Sequence, residues 1–370
     1  MSARFLTVVL ERAFNMRDGF GREIDYMRIS VIDSCNLNCY YCNPCDNNEH
    51  CHALNILSVK EVLCIVRAAT RLGIKHFRLT GGEPLLHPQL DEMVLQIKKI
   101  PGVSSVSLTT NAVLLAQHAK WLKEAGIDSI NVSLDTIDAS EYERITKKPL
   151  LEEVKHGINA AIECGIRVKI NVVLTPQTDV VALTRYVAKK GTDIRFIEMM
   201  PVGEGHTNGV EPYKKVIGTL SKLYGEPCRI NTEKTKEINS GNDKRKIPDN
   251  GPAEYYIFPE LGIRVGLIQA IHGKFCDTCN RMRVTADGRL MPCLGSSVTM
   301  DLVPDSWDFA DDVEKDFAIV RALRAAIKAK PRCHNFNDNV VTYTKTTETK
   351  TTEIEAAEVN AARNMSRIGG

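Results

Sequence analysis

The stretch Tyr26-Met-Arg-Ile-Ser-Val-Ile-Asp-Ser-Cys35-Asn-Leu-Asn-Cys39-Tyr-Tyr-Cys42 decides how the rest of this chain is read. Its first part, Tyr26–Ile32, is rich in the β-branched and aromatic residues of a strand. Its second part places three cysteines in a C-x3-C-x2-C spacing on a loop. The same grammar repeats outward from it. Further strands are predicted at Lys75–Thr80, Ser104–Thr110, Ser129–Leu134, Arg167–Leu174 and Asp193–Glu198. Between them lie amphipathic helices at Ser58–Leu72, Leu90–Lys99, Leu114–Ala125, Leu151–Cys164 and Val180–Lys189. Ser58 followed by Glu61 reads as a capping box, and Gly73, Gly126 and Gly165 each end a helix before the next strand. Consecutive βα units predict a parallel sheet, either doubly wound or rolled into a barrel.

At 370 residues the chain is long enough for two domains. Hydrophobic residues make up 43% and charged residues 25%, ordinary globular usage. The balance of 48 basic against 46 acidic residues gives a net charge of +2, so no global field favours nucleic acid or an anionic membrane. No apolar run approaches the roughly 20 residues of a spanning helix. Met1–Arg12 lacks a small-residue cleavage site, so a signal peptide is not expected and the cytoplasm is. Twelve cysteines are the unusual feature; without a secretory signal, clustered thiols point to metal rather than disulfides. After residue 200 the βα periodicity stops. Turn-rich sequence leads to strands at Ala253–Phe258 and Ile263–Ile268, a second cysteine group and a helix at Asp316–Lys328. The expected division is 1–200, 201–340, and a solvated, flexible tail over 341–370 that ends in Gly369-Gly370.

Three thiolates as close as Cys35, Cys39 and Cys42 can hold three corners of a 4Fe–4S cube and leave one iron open. Cys45 and Cys51 keep a four-ligand zinc site as an alternative. Cys276, Cys279 and Cys293 form a second three-cysteine set, with a zinc knuckle completed by His272 as its alternative. Polar residues recur at the C-terminal strand ends, where α/β barrels keep their chemistry: Gly81–Glu83, Thr109–Asn111, Ser133 and Asp135, Lys169 and Asn171, and Arg195, Glu198 and Met200. Arg28, Arg78, Lys169, Arg195, Arg281 and Arg283 would project six cations toward one cavity, and a triphosphate would balance them. The chain has no G-x4-G-K-[ST] loop, so side chains would hold the phosphates.

The cysteine spacing, with Tyr41 before its last member, and Gly81-Gly82-Glu83-Pro84 one strand later resemble the radical S-adenosylmethionine superfamily. The longer series is similar to the superfamily's GTP cyclases, which open molybdenum-cofactor (molybdopterin) biosynthesis. It runs from Asp18–Arg22 and Arg28–Cys35 through Arg78–Leu85, Leu108–Asn111, Asn131–Asp135, Lys169–Val173 and Arg195–Met199 to Phe275–Cys293, Lys330–Phe336 and Gly369-Gly370. That resemblance implies a partial six-stranded (β/α)6, TIM-like barrel with a C-terminal domain carrying a second iron–sulfur cluster. It implies two 4Fe–4S clusters, one on Cys35, Cys39 and Cys42 and an auxiliary one on Cys276, Cys279 and Cys293, whose open iron takes the guanine base. S-adenosylmethionine would contact Tyr41, Gly82, Glu83, Ser133 and Met200. GTP would be bound by Arg28, Arg78, Thr109, Lys169, Arg195, Arg281 and Arg283, with Arg281, Arg283, Gly369 and Gly370 serving catalysis. The implied reaction is removal of the ribose C3′ hydrogen by a deoxyadenosyl radical, attack on guanine C8 and reduction of the resulting radical. The implied partners are an electron donor such as flavodoxin or ferredoxin, a downstream cyclic pyranopterin monophosphate synthase and a second copy in a homodimer. Ser34 stands where that family usually has Arg, and Ala112 where it usually has Gly. A radical enzyme acting on a peptide and a zinc-stabilised binding module are the competing readings.

Overall fold

The computed structural model describes residues 16–42, 55–201, 212–230, 251–296, 299–302, 312–334 and 336. Six parallel strands follow one another as neighbours: β1 (Tyr26–Ser30), β2 (His76–Thr80), β3 (Ser105–Thr110), β4 (Ser129–Ser133), β5 (Val168–Val173) and β6 (Asp193–Ile197). The helices between them are α1 (Val59–Arg71), α2 (Leu90–Lys98), α3 (Leu115–Glu124), α4 (Ala139–Thr146), α5 (Leu151–Glu163) and α6 (Val180–Lys189). The strands and helices sit where alternation and caps place them, with α4 an addition. Ser58 and Glu61 close the expected capping box on α1, and Gly73, Gly126 and Gly165 all take positive φ. Helix α4 is capped by the Asp138 carboxylate, which accepts from the Glu141 N–H at 2.8 Å.

The later part of the chain extends this sheet at both edges. Helix α7 (Pro212–Tyr224) leads to β7 (Cys228–Ile230), β8 (Glu254–Ile257) and β9 (Arg264–Ile268), and β9 pairs parallel with β6. On the other side β10 (Arg281–Val284) pairs parallel with β1, and β11 (Arg289–Met291) and β12 (Met300–Asp301) follow antiparallel. Among the described residues twelve strands therefore form one sheet with eight parallel members at its centre, and β12 and β7 as its outer strands. Helix α8 (Asp312–Lys328) packs on α1, where Arg71 meets Asp316 at 2.8 Å. Six βα units thus gain two further parallel strands from sequence far along the chain.

Each central strand divides its residues by parity. Met27 and Ile29, Phe77 and Leu79, Val106 and Leu108, Ile130 and Val132, Ile194 and Phe196, and Met282 and Val284 are fully or almost fully buried in the main apolar core. The alternate positions carry Tyr26 and Arg28, His76 and Arg78, Ser107 and Thr109, Asn131 and Ser133, Lys169 and Asn171, Arg195, and Arg281 and Arg283. A parallel sheet covered on both faces ordinarily reads as hydrophobic throughout. Here one face is polar across seven of the parallel strands, and the candidate site is built on that face.

Ala112 is buried at φ 66, in the left-handed region, directly after β3. An L side chain there costs roughly 1–2 kcal/mol, partly offset when glycine replaces it by glycine's larger entropy loss. Ala112→Gly is therefore expected to stabilise the protein by about 0.5–1 kcal/mol, seen as a higher urea midpoint. A lower midpoint would contradict the strain.

Candidate functional site

The two loops after β1 and β2 are joined by backbone. Gly82 N–H donates to Ile32 O at 2.7 Å, and Glu83 N–H donates to Ser34 O at 2.8 Å. A Cβ on Gly81 would lie 2.3 Å from Ile32 O, and one on Gly82 would lie 2.1 Å from Ser34 O. Two glycines are needed because the backbone of the cysteine loop occupies the space a side chain would take. The far side of that loop rests on the end of α4, with Asn38 N–H donating to Thr146 O at 3.0 Å and Tyr40 N–H to Ile145 O at 3.1 Å. Cys35, Cys39 and Cys42 are thereby presented together, and their charges act on one another.

Burial pushes the Cys35 thiol up to about 11 and the Cys42 thiol up to about 12, and Cys39 also rises well above its ordinary value. In each case desolvation acts first, and neighbouring thiols or the Glu83 or Asp135 carboxylate add to it. Thiolates become stable in such a site only with a cation among them. Among the described residues, no three His, Cys, Asp or Glu side chains close on one point as around a single ion. A four-iron cube is bulkier than one ion and takes three thiolates at its corners. The donor set fits the cluster.

Glu83 is fully buried: its carboxylate accepts from Leu85 N–H at 3.0 Å, Thr110 Oγ1–H at 2.7 Å and Asn111 N–H at 2.7 Å. It pins the ends of β2 and β3 together. Asn111 in turn reaches Asn36 Oδ1 at 2.8 Å and the Cys35 sulfur at 3.7 Å. Tyr41 donates to Asp135 at 2.5 Å, and Asp135 also accepts from Val173 N–H at 2.8 Å. Ser133 is exposed at the end of β4. Met200 packs with Met291, Leu294 and Phe336, on the side of the second cysteine set.

Burial raises the Glu83 carboxyl to about 7 against an ordinary 4.5. The folded protein therefore holds a proton that the unfolded chain releases, and this stabilisation is complete below about pH 4.5 and lost as pH rises to about 7. In that window one such group contributes a slope of at most about 1.4 kcal/mol per pH unit. Glu83→Gln is expected to flatten the fall in urea stability between pH 4.5 and 7. It should also lower stability throughout by about 1–3 kcal/mol, because its amide opposes a donor. A slope equal to the parent's would refute the assignment.

Across β10, β1 and β2, Arg283, Arg28 and Arg78 stand abreast in register, with Arg281, Tyr26 and His76 in the row below. Arg78 donates to the Tyr26 hydroxyl and to Thr109 Oγ1, the latter at 3.4 Å. Arg281 lies 5.8 Å from the Tyr26 ring centroid and 5.6 Å from that of Phe275. Burial holds Arg28 well below its ordinary value and brings Arg283 down to about 10; neighbouring arginines add to both shifts. Lys169 and Arg195 are both 4% exposed. Arg195 Nε donates to Asn171 Oδ1 at 2.9 Å, while its Nη2 has no hydrogen-bond partner among the described residues. The repulsion among these side chains is relieved by a multiply charged anion. Tyr26 was not among the expected site residues, although it shares Arg28's parity two positions earlier. Its hydroxyl is drawn down by Arg78, Arg28 and Arg281 against the opposing effect of burial.

Cys276, Cys279 and Cys293 gather beside Arg281 and Arg283, and their charges also act on one another. His272 is the residue that would complete a zinc knuckle in the alternative reading. Its Nδ1 is bonded to Glu198, whose carboxylate also accepts from Ile271 N–H at 2.7 Å and His272 N–H at 3.1 Å. Of the other cysteines, Cys64, Cys164, Cys228 and Cys333 lie on separate segments. Cys45, Cys51, Gly369 and Gly370 lie outside the described residues.

Residues 29–182 match the radical SAM superfamily, and residues 192–336 match the Molybdenum Cofactor Synthesis C family. The fold is similar to that of SuiB from Streptococcus suis, with TM-score 0.54 and 14% identity over 79% of this chain and 64% of that one. Fold and site define a radical S-adenosylmethionine protein with two 4Fe–4S clusters. The chain is 35% identical over 324 residues to the GTP 3′,8-cyclase of Clostridium perfringens (strain SM101 / Type A), covering 87% of this chain and 95% of that protein. It is also 35% identical over 331 residues to the GTP 3′,8-cyclase of Petrotoga mobilis, covering 88% and 96%. The chain belongs to the GTP 3′,8-cyclase family.

Proposed function

We propose that this chain converts GTP to (8S)-3′,8-cyclo-7,8-dihydroguanosine 5′-triphosphate, the first step of molybdenum-cofactor biosynthesis. The observation that carries this reading is the register of Arg283, Arg28 and Arg78 across three adjacent strands, between the two cysteine sets. Cys35, Cys39 and Cys42 would hold one 4Fe–4S cluster, and Cys276, Cys279 and Cys293 the other. With S-adenosylmethionine bound, this pair of groups supplies a carbon-centred radical oxidant and an iron for the guanine base.

The chain's own residues bind, orient and shield. Arg28, Arg78, Arg281 and Arg283 take the phosphate oxygens, with Lys169, Arg195 and Thr109 completing the cradle. Phe275 and Tyr26 hold the Arg281 guanidinium in place. The apolar parity of β1–β6 fixes each strand against its helices, which keeps the reacting ribose in one orientation and away from water. Gly82 brings backbone close to the methionine moiety, with Tyr41 and Ser133 around it, Met200 contacts S-adenosylmethionine from the side of the second cysteine set, and Glu83 holds the Gly81-Gly82 turn in place. Gly369-Gly370 is assigned to catalysis, and the division at residue 200 separates the cofactor-cleaving part from the part bearing the second cluster. The electron donor is a flavodoxin or ferredoxin, the product goes to the cyclic pyranopterin synthase, and the chain acts in the cytoplasm as a homodimer. Among the described residues no helix is long and apolar enough to cross a membrane.

Anaerobically reconstituted protein, given S-adenosylmethionine and a low-potential reductant, is expected to form 5′-deoxyadenosine in a GTP-dependent manner. Equal formation without GTP would count against the substrate. Stoichiometric zinc without iron would sink the enzyme reading altogether.

A further inference from the structure

Two motifs take no part in the function proposed above: Asp18–Arg22 near the start and Lys330–His334 after α8. They are more than 300 residues apart, yet the fold brings them together around the second cysteine set. Arg22 is 8% exposed and ion-paired to Asp18 at 2.5 Å. Its guanidinium donates to Cys276 O at 2.7 Å, Arg332 O at 2.9 Å and Pro331 O at 2.6 Å. Lys330 is 2% exposed, and its ammonium donates to Arg281 O at 2.8 Å and Pro292 O at 2.7 Å. Those carbonyls belong to residues two beyond Cys279 and one before Cys293.

The two cations differ in kind. Arg22 has its own carboxylate, so its charge is balanced before it reaches Cys276. No carboxylate pairs with Lys330 among the described residues; its hydrogen-bond partners are two carbonyls. A buried ammonium without a counter-ion is costly, and it persists where an anion meets it. The anions within reach are the thiolates of the second set.

We propose that Lys330 is a positioning residue and the resident counter-charge of the second cluster, raising that cluster's reduction potential. The potential of an iron–sulfur centre is set in part by net charge and by hydrogen bonds to its sulfurs. One-electron reduction adds negative charge at the site, and a buried ammonium fixed to the backbone beside the ligand cysteines favours that more negative state. The inference rests on the reading that Cys276, Cys279 and Cys293 hold a 4Fe–4S cluster.

The test uses the full chain with Cys35, Cys39 and Cys42 replaced by Ala, so that the second cluster alone is titrated. Iron content and the midpoint potential, followed by electron paramagnetic resonance, are measured for this parent and for Lys330→Gln, Lys330→Met and Lys330→Arg. The expected result is a lower potential in Lys330→Gln and Lys330→Met, with Lys330→Arg close to the parent. Loss of iron from Gln and Met but not from Arg would equally support the charge. A fully loaded Lys330→Gln with the parent's potential overturns the proposal, and so does loss of iron from all three variants. A parent that binds no iron overturns the cluster reading itself, an outcome distinct from failure at Lys330.

Discussion

Gly82→Ala is expected to strip the first cysteine set of its iron while leaving the second loaded. The new methyl carbon would lie 2.1 Å from Ser34 O, 2.4 Å from Ser34 C and 2.6 Å from Asp33 O. All three are backbone atoms, so no side chain can rotate away, and the ends of β1 and β2 must separate. Separation breaks the bonds from Gly82 N–H to Ile32 O and from Glu83 N–H to Ser34 O, and it carries Cys35 with it. Overpacking of this kind costs about 1–3 kcal/mol, and more where strain and lost hydrogen bonds add. Cys276, Cys279 and Cys293 are held from β10, β11 and their flanking loops and do not share that turn. Iron per chain should fall by about half, with deoxyadenosine formation lost. Full iron content at both sets would contradict the steric argument.

The second large effect has two opposite signs in one variant. Arg283→Met removes a buried charge that stands beside Arg28 and is held down to about 10 by burial first and Arg281 next. A displacement of that size corresponds to a cost on the order of 3 kcal/mol for keeping the group charged at neutral pH. Removing it should raise the stability of the nucleotide-free protein by roughly 1 kcal/mol or more, after losses in hydrogen bonding and packing. The same change deletes the fork proposed for phosphate oxygens, and one charge-assisted bond contributes about 1.5–3 kcal/mol, or about 10–100-fold in affinity. Thermal unfolding with and without GTP shows both signs: the variant starts higher and gains less from the ligand. A variant less stable without GTP, yet equally stabilised by it, would mean that Arg283 is structural.

Local patterns carried much of this molecule. Strands β1–β6 were legible because their β-branched runs are bounded by turns, and the helices between them because apolar residues recur at the helical period. The cysteine sets were legible because their ligands are close in sequence. What escaped depends on contacts between distant segments. The parallel pairing of β10 with β1 joins residues more than 250 apart, and no local signal marks it. Tyr26 became a site residue only once Arg281 was laid across from it. Helix α4 was missed although Asp138 and Glu141 mark its start, because it is short and follows a strand end already rich in polar residues. The partners of Arg22 and Lys330 could not be read at all, since a buried cation bonded to carbonyls leaves no pattern in the chain. Ala112 shows the reverse case: the departure from glycine was visible in sequence, and the backbone kept the glycine-like conformation.

The most direct measurement of the central claim follows one hydrogen. GTP deuterated at ribose C3′ is given to the reconstituted protein with S-adenosylmethionine and reductant, and the 5′-deoxyadenosine formed is weighed by mass spectrometry. One deuterium in the deoxyadenosine, matched by a cyclised nucleotide that has lost it, is the expected result. Deoxyadenosine without deuterium, with the label still in unreacted GTP, would contradict it.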